Sequence, residues 1–143
     1  MQTLDALQQT ADITRLLKTA TSIAIVGLSP KENRPSNMVG RYLIDAGYTI
    51  YPVNPGQKEI LGRTCYADLA AIPDPVDIVD IFRKSEDVLP IVEQLITLKP
   101  LPRTLWMQQG IINEAAAELA HRHGLFVVMD RCIKVDHYNL LSR

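Results

Sequence analysis

The chain has 143 residues, 47% of them hydrophobic and 22% charged, with a formal net charge of −1. That length fits one ordinary domain with a real core. The near-neutral charge, with no run of like charges, excludes wholesale electrostatic binding of nucleic acid or an anionic membrane, so any anion site must be local.

The chain opens on MQTLDALQQTADITRLLK. This stretch lacks a basic n-region and an apolar h-region, so no signal peptide is expected. Leu4, Leu7, Ala11, Ile13, Leu16 and Leu17 give an imperfect apolar stripe that predicts a helix over Leu4–Lys18, with Thr3 as N-cap. Ser22–Val26 follows as a nearly all-apolar strand, the pattern of a strand buried on both faces. A helix is predicted from about Ser36 to Ala46, with Gly47 closing it. The second strand is Tyr48–Val53, and a connector with a short helix at Ala67–Ala71 leads to a third strand, Val76–Phe82.

A helix over Val88–Leu98 accommodates Pro90 in its first turn if Asp87 is the N-cap. Arg103–Gln108 reads as a strand, Glu114–His123 as a helix capped by Asn113, and Leu125–Met129 as the last strand. The tail DRCIKVDHYNLL suits a short terminal helix. No apolar run approaches the ~18 residues of a membrane span.

Strands alternating with helices imply parallel βαβ units with right-handed crossovers. The expected fold is α/β, a Rossmann-like, doubly wound, mostly parallel five-stranded sheet with helices on both faces. Residues 1–143 are expected to form one domain, with residues 1–20 as an N-terminal helix packed on it. Ligands of such folds bind at the carboxyl ends of the strands, where the strand order reverses.

The stretch after the first strand, GLSPKENRPSNMVG, tests that expectation. A dinucleotide loop is G-x-G-x-x-G, with an acidic residue ~20 positions on that binds the ribose. Gly27 fills the first position, Ser29 replaces the second glycine, and Gly40 lies too deep in the helix to be the third. The second strand ends in Asn54-Pro55, with no acid. NAD therefore lacks two of its physical requirements, and no P-loop motif is present. The loop instead offers Ser29, Lys31, Arg34 and Ser36 ahead of a helix N-terminus, where unpaired amides favour anions. Ser36 suits either a cap or a phosphate donor. The same residues also fit a solvated loop carrying two surface cations. Pro52 breaks its strand or marks a sheet edge, and Pro52 and Pro55 together make a rigid wall that suits either an adenine ring or a stiff turn.

The blocks IVGLSPKENRPSNMVGRYLIDAGYTIYPVNP, LGRTCYADLAAIP, VDIVDIFRKSEDVLPIVEQ, LWMQQGIINEAAAELA and VVMDRCIKVDH occur in order after about Thr21. Together they resemble the small stand-alone CoA-binding domain proteins, which are similar to the CoA-binding domain of the succinyl-CoA synthetase α-subunit. The resemblance implies coenzyme A or acyl-CoA as the ligand. It implies that Gly27, Leu28 and Ser29 through Ser36 cradle the phosphates, with Lys31 and Arg34 as cationic contacts. By the same resemblance, Pro52, Val53, Asn54 and Pro55 flank the adenine, and Phe82, Arg83 and Val88 line the groove. Trp106, Gln108 and Gly110 then lie where the pantetheine arm runs.

The ligase α-subunit carries a phosphorylated catalytic histidine on a second domain, and this chain is expected to end where that domain would begin. His121, His123 and His137 carry no mark of a phosphoryl acceptor. Related redox-sensing repressors carry a DNA-binding helical domain, for which the chain has no room. The expected activity is binding: a cytoplasmic sensor, carrier or presenting module, with a protein partner or a homodimer conceivable and no nucleic acid or membrane involved.

Cys65 and Cys132 form no CxxC or zinc spacing, and reduced thiols are expected. Cys132 is the one candidate for chemistry. Arg131 and Lys134 flank it, and nearby cations lower a thiol pKa. It reads either as a thiol able to exchange with that of CoA, in a redox or acyl-transfer role, or as a small buried residue. Asp130 and His137 invite a Cys-His-Asp reading. Trp106 and Met107 are explained by core packing. Asp77 and Asp80 interrupt a buried-type strand and are expected to face solvent or cap loops, with no metal site between them. A vestigial nucleotide site in a protein-interaction module is the remaining alternative.

Overall fold

A computed structural model of the chain describes residues 4–141. Five parallel strands form the central sheet: β1 (Ser22–Val26), β2 (Thr49–Val53), β5 (Ile78–Ile81), β6 (Thr104–Met107) and β7 (Phe126–Val128). Their order is β2-β1-β5-β6-β7, so the winding reverses between β1 and β5. A short antiparallel hairpin, β3 (Glu59–Ile60) and β4 (Arg63–Thr64), occupies part of the connector after β2, where no strand was expected. The short helix expected at Ala67–Ala71 is a single 3-10 turn at Leu69–Ala71, capped by Asp68 accepting from the Ala71 amide.

Five helices cover the sheet: α1 (Leu4–Thr19), α2 (Pro35–Asp45), α3 (Val88–Leu95), α4 (Glu114–Arg122) and α5 (Ile133–Leu140). Thr3, the expected cap of α1, lies outside the described residues. Side chains alternate across each strand. Ile23, Ile25, Ile50, Ile78, Trp106 and Val128 point toward α1, α2 and α5, where they meet Ile13, Leu17, Val39, Leu43 and Ile133. Ala24, Val26, Val79, Ile81, Leu105 and Met107 point the other way, onto Val88, Val92 and Leu95 of α3 and Ala116 and Ala120 of α4. Both faces of the central strands are thus dry, as their unbroken apolar runs require. Pro52 is compatible with this sheet because β2 is its edge strand.

The expected strand limits shrink by one or two residues at several ends, and α3 stops at Leu95 rather than Leu98. One expectation is overturned. Asp77 does cap a loop, with one carboxylate oxygen accepting from the Thr21 and Ser22 amides. Asp80, however, faces neither solvent nor a loop. It has no exposed surface, and neither of its carboxyl oxygens has a hydrogen-bond partner among the described residues. It sits in register with Ile25 and Trp106 at the centre of the sheet. Both faces of β5 are covered, so a residue at its centre is buried whatever its polarity.

Burial pushes the Asp80 carboxyl well above its ordinary value of 3.8. The unfolded chain releases this proton as the pH rises past that value, while the folded chain keeps it. Stability therefore falls with rising pH, by about 1.4 kcal/mol per pH unit at most, until the folded-state value is reached. Urea denaturation of wild type and Asp80→Asn from pH 4 to 7 is expected to show this decline in the wild type only, with the variant gaining on it as the pH rises. A constant difference between the two across that range would mean that Asp80 is ionised in the fold.

Candidate functional site

Gly27 follows β1 at the point where the winding reverses. Its amide donates to the Val53 carbonyl (2.8 Å), and the Phe82 amide donates to that of Val26 (2.8 Å), so the ends of β2, β1 and β5 are tied together. Gly27 has φ +90°, and a Cβ there would stand 2.1 Å from the Phe82 carbonyl oxygen. Only glycine fits both the dihedral and the space.

The loop that follows is held by side chains. Leu28 is fully buried and anchors it in the core. The Ser29 amide donates to Ser36 Oγ (2.9 Å), Asn37 Nδ2 donates to the Ser29 carbonyl (2.8 Å), and Asn54 Nδ2 donates to the Leu28 carbonyl (3.1 Å). Arg41 reaches back to Asn37 Oδ1 and the Glu32 carbonyl (2.9 Å each). Ser36 does not cap α2. The helix starts at Pro35, its N-cap is Arg34, no side chain caps it, and its first turn contains no acid. Among the described residues, the positive end of α2 thus has neither a capping side chain nor an acid in its first turn.

This end opens on a cleft of about 890 Å³ at the carboxyl ends of β1, β5 and β6. Of the residues singled out from the sequence, Gly27, Ser29, Lys31, Arg34, Ser36, Asn54, Phe82, Arg83, Gln108 and Cys132 line it. Others lie elsewhere. Leu28, Val53 and Val88 are core residues, Pro52 is buried within β2, and Trp106 is buried with its indole N–H on the Arg131 carbonyl (2.8 Å). Pro55 is exposed beside the cleft, and Gly110 forms a turn whose amide donates to Asp130 Oδ1 (2.6 Å). Apolar residues adjacent to a strand end in sequence alternate between wall and core, which the chain order alone does not resolve.

The lining also includes Pro35, Val39, Lys84, Asp87, Gln109 and Ile111, which the sequence reading passed over. Lys84 and Gln109 directly follow Arg83 and Gln108, and Val39 is one turn beyond Ser36, so their neighbours carried the signal. Asp87 stands at the N-cap position of α3 as expected but makes no capping bond. Four cations, Lys31, Arg34, Arg83 and Lys84, thus share the cleft with one carboxylate, Asp87.

The Cys-His-Asp reading does not survive. Asp130 is engaged by Gly110, and His137 Nδ1 is bonded to the Tyr42 hydroxyl (2.8 Å) on the far side of α5. Burial lowers the His137 pKa from its ordinary value. The cations flanking Cys132 in sequence are also engaged: Arg131 holds Asp136 through two bonds (2.7 and 2.9 Å), and Lys134 Nζ lies 5.8 Å from the centre of the Tyr42 ring. Cys65 is buried, its thiol donating to the Asn54 carbonyl (3.4 Å), and both cysteines are free. His121 and His123 are exposed on or just after α4, away from the cleft.

Comparison with known proteins places these features in a wider group. The family model for the CoA binding domain matches residues 21–138. An uncharacterised protein of Bacillus subtilis, YneT, is 42% identical over 128 residues, covering 89% of this chain and 93% of that protein. A hypothetical protein from Pyrococcus horikoshii has a solved structure that superposes with a TM-score of 0.90 at 38% identity, covering 99% of this chain and 97% of its own. An ADP-forming acetate–CoA ligase of Archaeoglobus fulgidus is 27% identical over 119 residues, which is 78% of this chain and 17% of the ligase. Among the described residues no helix is long and apolar enough to cross a membrane.

Gly27→Ala is expected to destabilise the fold by about 2–4 kcal/mol, since the new methyl must displace the Phe82 carbonyl and adopt a disfavoured φ. Chemical denaturation measures this directly. A loss below about 0.5 kcal/mol, the range of ordinary surface substitutions, would mean that the β1–β5 junction yields easily.

Proposed function

This chain belongs to the CoA binding domain family, and we propose that its cleft binds coenzyme A or an acyl-CoA. The observation that carries this reading is the uncapped N-terminus of α2 facing a cleft with four cations and one carboxylate. Phosphates are the ligand groups that such a site selects, through backbone amides, a helix dipole and forked or point positive charge. Lys31 and Arg34 are the contacts for the pyrophosphate. Ser29 and Ser36 keep hydroxyl protons available for it, because each accepts rather than donates in the bonds that hold the loop.

Asn54 and Pro55, at the end of β2, flank the adenine. The Asn54 side chain is spent on the Leu28 carbonyl and the Gly56 amide, so β2 ends without the acid that an NAD ribose requires. The pantetheine arm runs across the ends of β5 and β6, between Arg83 and Gln108. The role is that of a cytoplasmic binding module that senses CoA, carries it or presents it to a protein partner, with no covalent step needed for binding itself.

Isothermal titration with CoA, NAD, NADPH and ATP tests the reading. CoA is expected to bind tightest, and raising the salt concentration should weaken it. Combined Lys31→Ala and Arg34→Ala is expected to lower the affinity about tenfold or more, at ~1.4 kcal/mol per decade. Silence with CoA alongside tight NAD binding would overturn the ligand assignment. Unchanged affinity in the double variant would overturn the phosphate placement.

A further inference from the structure

We propose that Cys132 is a thiol-exchange site built into the cleft, which captures coenzyme A from CoA disulfide as a protein–CoA mixed disulfide. This inference rests on the cleft being a CoA site, and it adds a reaction to the binding.

Two independent features converge here. Cys132 lines the cleft as the N-cap residue of α5. Gln108 lines the same cleft and is only 4% exposed. Its Oε1 accepts the amide of Ile133, the residue after the cysteine (3.1 Å), while its Nε2 has no partner among the described residues. Nε2 is thereby left to donate into the cleft that Gln108 lines. A ligand carbonyl is a fitting acceptor for Nε2, and a pantetheine arm carries an amide carbonyl a few bonds from its sulfur. Gln108 therefore both fixes the start of α5 and directs the sulfur end of the ligand toward Cys132.

The surrounding segment is rigid on both sides of the cysteine. The Arg131 carbonyl receives the indole N–H of Trp106, and its guanidinium grips Asp136. Asp130, at φ +62°, accepts from the Gly110 amide. The backbone that carries the thiol is thus held before any ligand arrives, which favours an intramolecular-like step.

The chemistry is disulfide exchange. The Cys132 sulfur, having released its proton, attacks one sulfur of CoA–S–S–CoA. A new bond forms between Cys132 and that sulfur as the original S–S bond breaks. The second CoA leaves as a thiolate and takes up a proton. CoA disulfide is the oxidant, one disulfide replaces another, and free thiol reverses the step. Cys65 provides an internal control, since it is buried and does not line the cleft.

The test incubates the full chain with CoA disulfide and follows intact mass and peptide mapping. The expected product carries one CoA on Cys132, a mass gain of CoA less two hydrogens, and none on Cys65, removed by reductant and absent from Cys132→Ser. The rate with CoA disulfide should exceed that with glutathione disulfide about tenfold or more, because only the former docks through the phosphate loop. Combined Lys31→Ala and Arg34→Ala should bring the two rates together. If CoA binds by calorimetry but Cys132 stays unmodified, or reacts equally with both disulfides, the exchange site is refuted and the CoA reading stands. If CoA does not bind and both disulfides react equally, both are refuted.

Discussion

The contact between Gly27 and the Phe82 carbonyl is the constraint on which the rest of the site depends. β1 and β5 are adjacent in the sheet although β2 lies between them in sequence. Their carboxyl ends must diverge, one chain turning toward α2 and the other toward α3. The two turns start so close that a single carbon atom would fill the gap. The divergence opens the cleft, and the glycine lets the loop leave β1 at an angle that no other residue adopts comfortably.

From that point the loop achieves with side chains what a glycine-rich loop achieves with bare backbone. Ser36, Asn37 and Asn54 each bond a backbone group of the loop, and Arg41 braces Asn37. Ser36 and Asn37 are themselves almost fully buried, so these bonds are shielded from water. The result is an ordered approach to α2 that leaves the helix end and the cations unoccupied by protein. A pre-ordered anion site loses less entropy on binding than a flexible one.

The α1–α2–α5 side of the sheet is unusual for its buried polar groups. Asp80 lies at the centre of the sheet with no partner among the described residues, Gln108 links the end of β6 to α5, and His137 joins α5 to α2 through Tyr42. Gln108 and His137 place α5 relative to the rest of the molecule, and Asp80 places nothing that the described residues reveal. The opposite side, under α3 and α4, packs an extended apolar core. Chemistry and structural cost are therefore concentrated on one face, while the other supplies plain hydrophobic stability.

Much of this was legible in the residue order. Apolar runs of four to five residues between helical stripes determined a parallel sheet, because only doubly covered strands tolerate them. The missing second glycine and the absent acid after β2 set the loop apart from a dinucleotide loop, because each has a local steric or hydrogen-bonding reason. Tertiary structure decided what depends on facing. It sent Asp80 into the core by covering both faces of β5, and Val88 away from the cleft. It turned Ser36 from a cap into a loop brace by starting α2 one residue earlier. It gave Arg131 to Asp136 and His137 to Tyr42, removing both from Cys132. It also brought Gln108 and Cys132 to one cleft wall from positions 24 residues apart, a proximity that arises only when the end of β6 and the start of α5 are packed together.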